Sequence, residues 1–136
     1  MAASNPGQVE LYYAAHIGGE DVEGLAAFIF GRAALFATAE RGSGARQMAR
    51  AMKAAVSQLA DTLEHALSLS EPEDERYRLV RRAQVVSAWN ALWALASPWQ
   101  GDDDYDGARW RHVKYWDASH EREIIDVLGE ARQSGR

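Results

Sequence analysis

Three alternating carboxylates form the most specific chemical pattern in this sequence. Asp102, Asp104 and Asp106 alternate along the chain, and Gly107 follows them directly. Carboxylates at this spacing converge on a hard cation such as Ca²⁺, and the glycine permits the sharp turn that brings them together. A calcium loop of this kind closes with a bidentate acidic ligand at its twelfth position, which is Val113 here. The run is therefore a candidate metal site that lacks its closing ligand.

Residues 102–107 resemble the first half of the calcium loop of the EF-hand family. The resemblance ends there, and Arg109 and Arg111 place positive charge beside the carboxylates. An acidic turn paired with arginines is the favoured interpretation, so we predict no metal site and no cofactor, with Asp102, Asp104 and Asp106 as the remaining candidates. Calcium titration tests this interpretation directly.

Carboxylates three residues apart share one face of a helix and can hold Mg²⁺ beside a phosphate. All-α nucleotide pyrophosphohydrolases use such pairs in a compact arrangement, whereas the pairs here are scattered: Glu20/Glu23, Asp61/Glu64 and Glu123/Asp126. The sequence also contains no H-E-x-x-H or G-x-S-x-G motif. A divalent-metal-dependent phosphohydrolase is therefore an alternative, and the sequence favours a protein without enzymatic activity.

Arginines cluster at the starts of the second and third predicted helices, where their side chains could contact phosphates. The candidate nucleic-acid-binding residues are Arg46, Arg50, Arg78, Arg81 and Arg82. Acidic residues from Glu71 to Glu75 can neutralise the second cluster, and the net charge of −5 disfavours generic phosphate binding. Nucleic-acid association is thus the second alternative.

Aromatic residues are concentrated after Pro98, in a stretch without helical periodicity. Tryptophan and tyrosine mixed with arginine and aspartate are typical of the residues that dominate protein interfaces. The candidate partner-binding residues are Trp99, Tyr105, Trp110, Tyr115 and Trp116. The competing interpretation is that these rings plug the helical core. We predict a non-enzymatic interaction protein (an adaptor, an assembly subunit or a phage or host accessory factor) with a protein partner, and we prefer a homodimer.

Composition and length indicate the number of domains and the cellular location. The chain has 136 residues without cysteine, which indicates a single domain, residues 1–136, and excludes thiolate chemistry. Residues 1–7 lack the features of a signal peptide, and the apolar stretch 24–39 is interrupted by Arg32 and is short for a membrane span. We expect a cytoplasmic protein without membrane contact. Lys53 and Lys114 are the only lysines, an arginine bias typical of GC-rich bacterial or phage genomes.

The periodicity of apolar residues predicts the helices that carry or flank these candidate residues. Apolar residues recur every three or four positions after Asp21, a predicted N-cap, and again in residues 45–69, 73–96 and 119–133. The second helix has the most regular seam, formed by Met48, Met52, Val56, Leu59, Leu63 and Leu67. Ser70 and Glu73 form a predicted capping box for the third helix, and Asp117 or Ser119 is expected to cap the fourth.

These elements predict an all-α fold. Three core helices pack as a small antiparallel bundle, and the aromatic-rich irregular segment before the last helix lies across them together with that shorter C-terminal helix.

Overall fold

The computed structural model describes residues 10–39 and 42–134, and all regular structure within these ranges is helical. The four α-helices are α1, Gly19–Ala39; α2, Ser43–Ser68; α3, Glu75–Ala96; and α4, Ala118–Ser134. A single 3₁₀ turn, Ala14–His16, precedes α1, and a second, Ser97–Trp99, follows α3. The prediction of an all-α fold is confirmed.

Helices α1, α2 and α3 pack against one another as a small bundle. The Nε of Arg81, early in α3, donates to the backbone carbonyl of Ala66 at the end of α2, so these two helices run antiparallel. All three helices contribute side chains to one core, which includes Leu25, Ile29, Val56, Leu63, Val85, Trp89 and Leu92. The predicted three-helix bundle is confirmed.

The seam of α2 faces this core along most of its length. Val56 and Leu63 are fully buried, and Met52, Leu59 and Leu67 pack at the margin of the core. Met48, at the start of the seam, is instead 66% exposed. The core thus narrows towards this end of the bundle, where the last turns of α1 also leave Leu35 and Phe36 exposed.

Helix α1 is longer than the apolar stretch 24–39 suggested. It has 21 residues and is the one helix in the described ranges that is long and apolar enough to cross a membrane. Core helices of soluble proteins and signal sequences share these properties. In this structure Val22, Leu25 and Ile29 are fully buried in the core, where α1 packs against α2 and α3.

The N-caps of α1 and α3 differ from the predictions. Helix α1 begins at Gly19, so Asp21 lies inside the first turn instead of at the N-cap. Its carboxylate accepts at 2.9 Å from the N–H of Gly18, which precedes the helix. Helix α3 begins after the predicted capping box, because Asp74 is its N-cap and accepts from the Arg76 N–H at 2.8 Å. By contrast, Asp117 accepts from the His120 N–H at 2.8 Å, which confirms the predicted cap of α4.

The arrangement of α4 also differs from the expectation. No Cα atom of α4 lies within 8 Å of a Cα atom in α1, α2 or α3, so the helix projects from the bundle instead of lying across it. The aromatic segment and the residues just before α1, which include buried Leu11 and Ala14, cover the bundle instead. A helix satisfies its backbone hydrogen bonds internally, which lets α4 form without a neighbouring helix.

Candidate interaction surfaces

The aromatic segment, residues 97–117, is fixed to α3 by side chains that reach its backbone. Trp89 donates from Nε1 to the Arg111 carbonyl at 2.7 Å. Asn90 donates to the Val113 carbonyl at 2.6 Å and accepts from the Val113 N–H at 2.9 Å. Val113 itself is fully buried. Buried backbone groups require partners, and α3 provides them here.

The same segment is joined to the residues that precede α1. The Leu11 N–H donates to the Ala108 carbonyl at 2.7 Å, and the N–H groups of Ala14 and Ala15 donate to the carbonyls of Tyr115 and Trp116. These bonds hold residues 11–15 against the segment.

Arg109 adds an ionic clamp at the start of α1. Its guanidinium donates to both carboxylate oxygens of Asp21, at 3.0 and 2.7 Å, and to the His16 carbonyl at 2.9 Å. Both charged side chains are largely buried, and the hydrogen bonds to Asp21 raise the pKa of Arg109. Paired guanidinium and carboxylate groups of this geometry are directional as well as strong.

Trp110 closes the end of the bundle next to α1. Its ring lies 5.2 Å from the rings of both Phe28 and Tyr105, and the Tyr105 hydroxyl donates to the Trp110 carbonyl at 2.7 Å. Gly24 faces the indole, and a Cβ added there would lie 3.4 Å from Trp110 Cζ2. An alanine at this position would therefore meet the ring at an ordinary van der Waals distance.

Trp116 lies beside α3, with the guanidinium carbons of Arg81 and Arg82 at 5.8 and 5.3 Å from its ring centroid. Of the five predicted partner-binding aromatics, Trp99, Tyr105, Trp110 and Trp116 pack against the core, and all five are half-buried. Tyr115 lies against His120, with ring centroids 6.0 Å apart. The rings therefore anchor the segment, and a role in binding a partner stays a prediction.

The acidic run forms ion pairs and turn hydrogen bonds. Arg32 of α1 pairs with Asp102 at 2.9 Å and also with Asp104. Asp106 accepts from the N–H groups of Ala108 and Arg109 at 3.2 Å. In the described ranges, no three His, Asp or Glu side chains come together as metal ligands would.

The arginines proposed for phosphate contact fall into two groups. Arg46 and Arg50 project into solvent from α2, and Arg78 is half-buried on α3. Arg81 instead donates to the carbonyls of Ala66 and Leu69. These carbonyls lie at the end of α2, where the helix itself provides no N–H partner. Arg82 pairs with Glu71 at 2.6 Å. Two of the five guanidinium groups therefore serve the connection between α2 and α3.

An open groove runs between α2 and α3 on the outside of the bundle, and we call it the α2–α3 groove. Its open volume is about 960 Å³, and it is lined by side chains from residues 59–72 and 80–91. Leu69 and Val80 remain about half exposed within it, and most of its other lining is alanine, leucine, serine and threonine carbon. Asp61, His65 and Arg81 are its charged or titratable lining residues.

Helix α4 projects as an amphipathic arm, residues 118–134. Ile125, Val127 and Leu128 are 54–56% exposed, and with half-buried Ile124 they lie on one side of the helix at three- and four-residue spacing. The opposite side carries Arg122, Glu123, Asp126 and Gln133. A helix with one apolar face normally buries that face against another surface.

The base of the arm is held in place by three contacts. The Tyr13 hydroxyl donates to Glu121 at 2.6 Å, the Trp116 N–H donates to His120 Nδ1 at 3.3 Å, and Asp117 caps the first turn. The hydrogen bond to Glu121, assisted by burial, raises the pKa of Tyr13 to about 12. These contacts set the direction in which the arm leaves the bundle.

Sequence periodicity predicted that α4 is amphipathic, but it did not predict that the apolar face of α4 is exposed. It also missed the α2–α3 groove, because a groove forms only where two helices pack side by side. The exposed small residues Ala83, Ser87 and Ala91 on α3 are the signal that could have indicated a groove. The sequence matches no protein-family model, and no curated protein or solved structure is similar to it.

Proposed function

We propose that this chain is a non-enzymatic interaction protein that binds an amphipathic helix in the α2–α3 groove. The observation that carries the proposal is the groove itself, an open, mainly apolar depression of about 960 Å³ between two long helices. An amphipathic helix recognises such a groove by inserting side chains three and four positions apart.

The dimensions of the groove support a helical ligand. Its walls extend from Leu59 to Leu69 on α2 and its connection, and from Val80 to Ala91 on α3, each about 15 Å long at 1.5 Å per residue. That length accommodates about three turns of a bound helix at 5.4 Å per turn. A ligand of this length presents three or four apolar anchors, a number typical of helix-in-groove recognition.

The energetics also favour an apolar ligand. Leu69 and Val80 are 49% and 52% exposed, and burial of apolar surface contributes about 25 cal/mol per Å². The charged or titratable lining residues are few: Arg81 is engaged with two backbone carbonyls, while Asp61 and His65 are neighbours four residues apart on α2. These polar groups can orient a ligand, and the apolar lining supplies the affinity.

The aromatic segment has a supporting role in this proposal. Its hydrogen bonds to Trp89 and Asn90 hold α3 in its position, and α3 forms one wall of the groove. We propose that the protein acts in the cytoplasm of a bacterium or phage-infected cell. The arginine bias of the sequence supports this origin, and the burial of Val22, Leu25 and Ile29 supports α1 as a core helix.

The test is selection of helical peptides against the whole protein. Peptides from a displayed library of amphipathic helices should bind with micromolar affinity and shift the amide resonances of residues that line the groove. Val80→Glu, which places a charge in the groove, should reduce binding at least about tenfold. Ala94→Glu introduces the same charge at an exposed position of α3 outside the groove lining and should leave binding unchanged. Peptides that bind equally to both variants would contradict the proposal.

A further inference from the structure

We propose that a cavity between α3 and the base of the arm binds a small aromatic monocarboxylate. We call it the base cavity. It has an open volume of about 260 Å³ and is lined by one face of α3 between residues 79 and 87, by Lys114 and Trp116 of the aromatic segment and by His120 of α4. The proposal does not depend on helix recognition in the α2–α3 groove, and it adds a small-molecule site to the chain.

Three elements fix the shape of the base cavity. Leu79 and Val86 lie two helical turns apart on one face of α3 and form one wall. The Trp116 N–H donates to His120 Nδ1 at 3.3 Å, and the His120 N–H donates to Asp117 at 2.8 Å, so the facing wall is also held in position. A cavity that exists before its ligand arrives avoids the free-energy cost of ordering these groups on binding.

The inner surface of the base cavity suits an aromatic ring. Leu79 is 48% exposed, and Val86 and Trp116 are half-buried, so each retains apolar surface that a ligand can cover. Aromatic pairs in offset or edge-to-face contact are more stable than their buried area alone predicts. The Trp116 indole therefore favours an aromatic ligand over an aliphatic ligand of the same size.

The charged and titratable side chains of the base cavity are all basic. Arg82, Lys114 and His120 reach it from three different elements, and no acidic residue of the described ranges lines it, although the chain has 20. Arg82 already pairs with Glu71 at 2.6 Å. Lys114 lies over the Tyr115 ring at 5.3 Å, and no described carboxylate oxygen lies within 4.0 Å of its Nζ. Lys114 thus supplies an uncompensated positive charge that fits a monoanion.

His120 and Ser87 add hydrogen bonds beside this charge. Because His120 Nδ1 accepts from the Trp116 N–H, the neutral ring carries its proton on Nε2 and can donate from there to a ligand. The Ser87 hydroxyl lines the same cavity. A carboxylate has two acceptor oxygens, and hydrogen bonds to an ionised group are stronger than those between neutral groups. These donors orient the carboxylate towards Lys114 while the aromatic ring contacts Trp116.

The volume of the base cavity limits the ligand to a single-ring compound. Liquid water occupies about 30 Å³ per molecule, so 260 Å³ corresponds to about nine water molecules. An anion of about nine non-hydrogen atoms, such as benzoate, fills that space. Sites for larger ligands usually measure about 300–1,000 Å³, so a nucleotide would extend beyond this cavity.

An NMR titration of the full chain with benzoate tests the proposal. The indole N–H resonance of Trp116, assigned by its loss in Trp116→Phe, should shift and saturate with a dissociation constant below about 1 mM. Lys114→Met removes the ammonium group and keeps an apolar stem, so it should raise this constant at least about tenfold. Lys53→Met is the matched control: it makes the same change in net charge at an exposed position of α2 outside the cavity and should bind like the unmodified chain. Equal binding by the two variants would overturn the proposal.

Three further compounds test the two parts of the ligand. Benzyl alcohol keeps the ring without the charge, and acetate keeps the carboxylate without the ring, so both should bind at least about tenfold more weakly than benzoate. Benzyl alcohol that binds as tightly as benzoate would overturn recognition of the anion, and acetate that does so would overturn recognition of the ring. Phenyl phosphate that binds more tightly than benzoate would overturn the choice of a monoanion.

The outcome is distinguishable from that of the groove experiment. Val80 lines the α2–α3 groove and not the base cavity, so Val80→Glu should reduce binding of the selected peptides and leave benzoate binding unchanged. Loss of benzoate binding in this variant would place the ligand in the groove and overturn the base cavity as its site.

Discussion

The aromatic segment and the α4 arm are adjacent in the chain, but the bundle holds the segment along its length and the arm only at its base. The segment has one 3₁₀ turn, yet its backbone groups at Arg111 and Val113 bond to side chains of α3. The arm is a regular, capped helix whose apolar face lies in solvent beyond its first turn. Regular secondary structure and attachment to the core are therefore separate properties of a segment.

Hydrogen bonding explains the difference. A helix satisfies most of its backbone groups internally, so the backbone of the arm needs no partner group from the bundle. An irregular segment has to find a partner for each buried backbone group, so it is ordered only where the bundle provides partners. We infer that the segment contributes stability, whereas the arm is available for binding.

The largest expected effect is the difference in stability loss between a substitution in the aromatic segment and one in the arm. Trp110→Ala removes an indole packed on Phe28 and Tyr105 and should lower the free energy of unfolding by about 3 kcal/mol. Leu128→Ala in the arm should lower it by less than about 0.5 kcal/mol. Urea denaturation measures both, at concentrations where sedimentation shows monomers. Equal losses would mean that the two regions are held alike.

Asn90 tests how strongly α3 holds the aromatic segment. Asn90→Leu leaves the N–H and carbonyl of buried Val113 without their partners and should cost about 2 kcal/mol of unfolding free energy. Asn90→Asp keeps the acceptor for the N–H but places a carboxylate oxygen opposite the Val113 carbonyl, so a loss at least as large is expected. The same denaturation experiment measures both variants. An unaffected Asn90→Leu protein would show that the bundle does not hold the segment.

Tyr13 tests how firmly the arm is attached at its base. Its pKa is raised to about 12, so the neutral phenol is favoured in the folded protein. Its contribution to stability is complete below about pH 10, the pKa of an unperturbed tyrosine, and is lost as the pH rises towards 12. The absorbance difference between the unmodified chain and Tyr13→Phe should therefore show a phenolate that forms near pH 12.

The same variant has a structural readout at neutral pH. Tyr13→Phe removes the hydrogen bond to Glu121, so amide hydrogens in the first turns of α4 should exchange several times faster while those of α3 stay protected. Tyr77→Phe, at an exposed position on α3, is the control and should change neither. Unchanged exchange in Tyr13→Phe would indicate that the Asp117 cap and the His120 contact suffice.

The smallest effect is expected at the acidic run. Millimolar calcium should shift the melting temperature by less than about 1 °C, because Asp102 and Asp104 pair with Arg32 and Asp106 accepts from two backbone N–H groups. Thermal denaturation with and without calcium measures the shift. A clear stabilisation by calcium, absent with magnesium at equal ionic strength, would restore the candidate metal site.

Local patterns predicted most of the helices. The spacing of Val56 and Leu63 follows from the 3.6-residue turn, and both residues are buried where the pattern placed them. The cap at Asp117 was also predicted, because capping needs only a side chain and the next turn. The start of α3 was not, since Asp74 and Ser70 are both competent caps and the choice depends on where the connection from α2 ends.

Helical periodicity is a property of neighbouring residues, so the amino-acid sequence predicts four helices that each have an apolar side. What covers each apolar side follows from the packing of the folded chain. This packing placed the rings of Trp110 and Trp116 against α1 and α3 and left Ile125, Val127 and Leu128 of α4 uncovered. Burial depends on distances between residues far apart in the chain, and the periodicity of one helix carries no information about its neighbour.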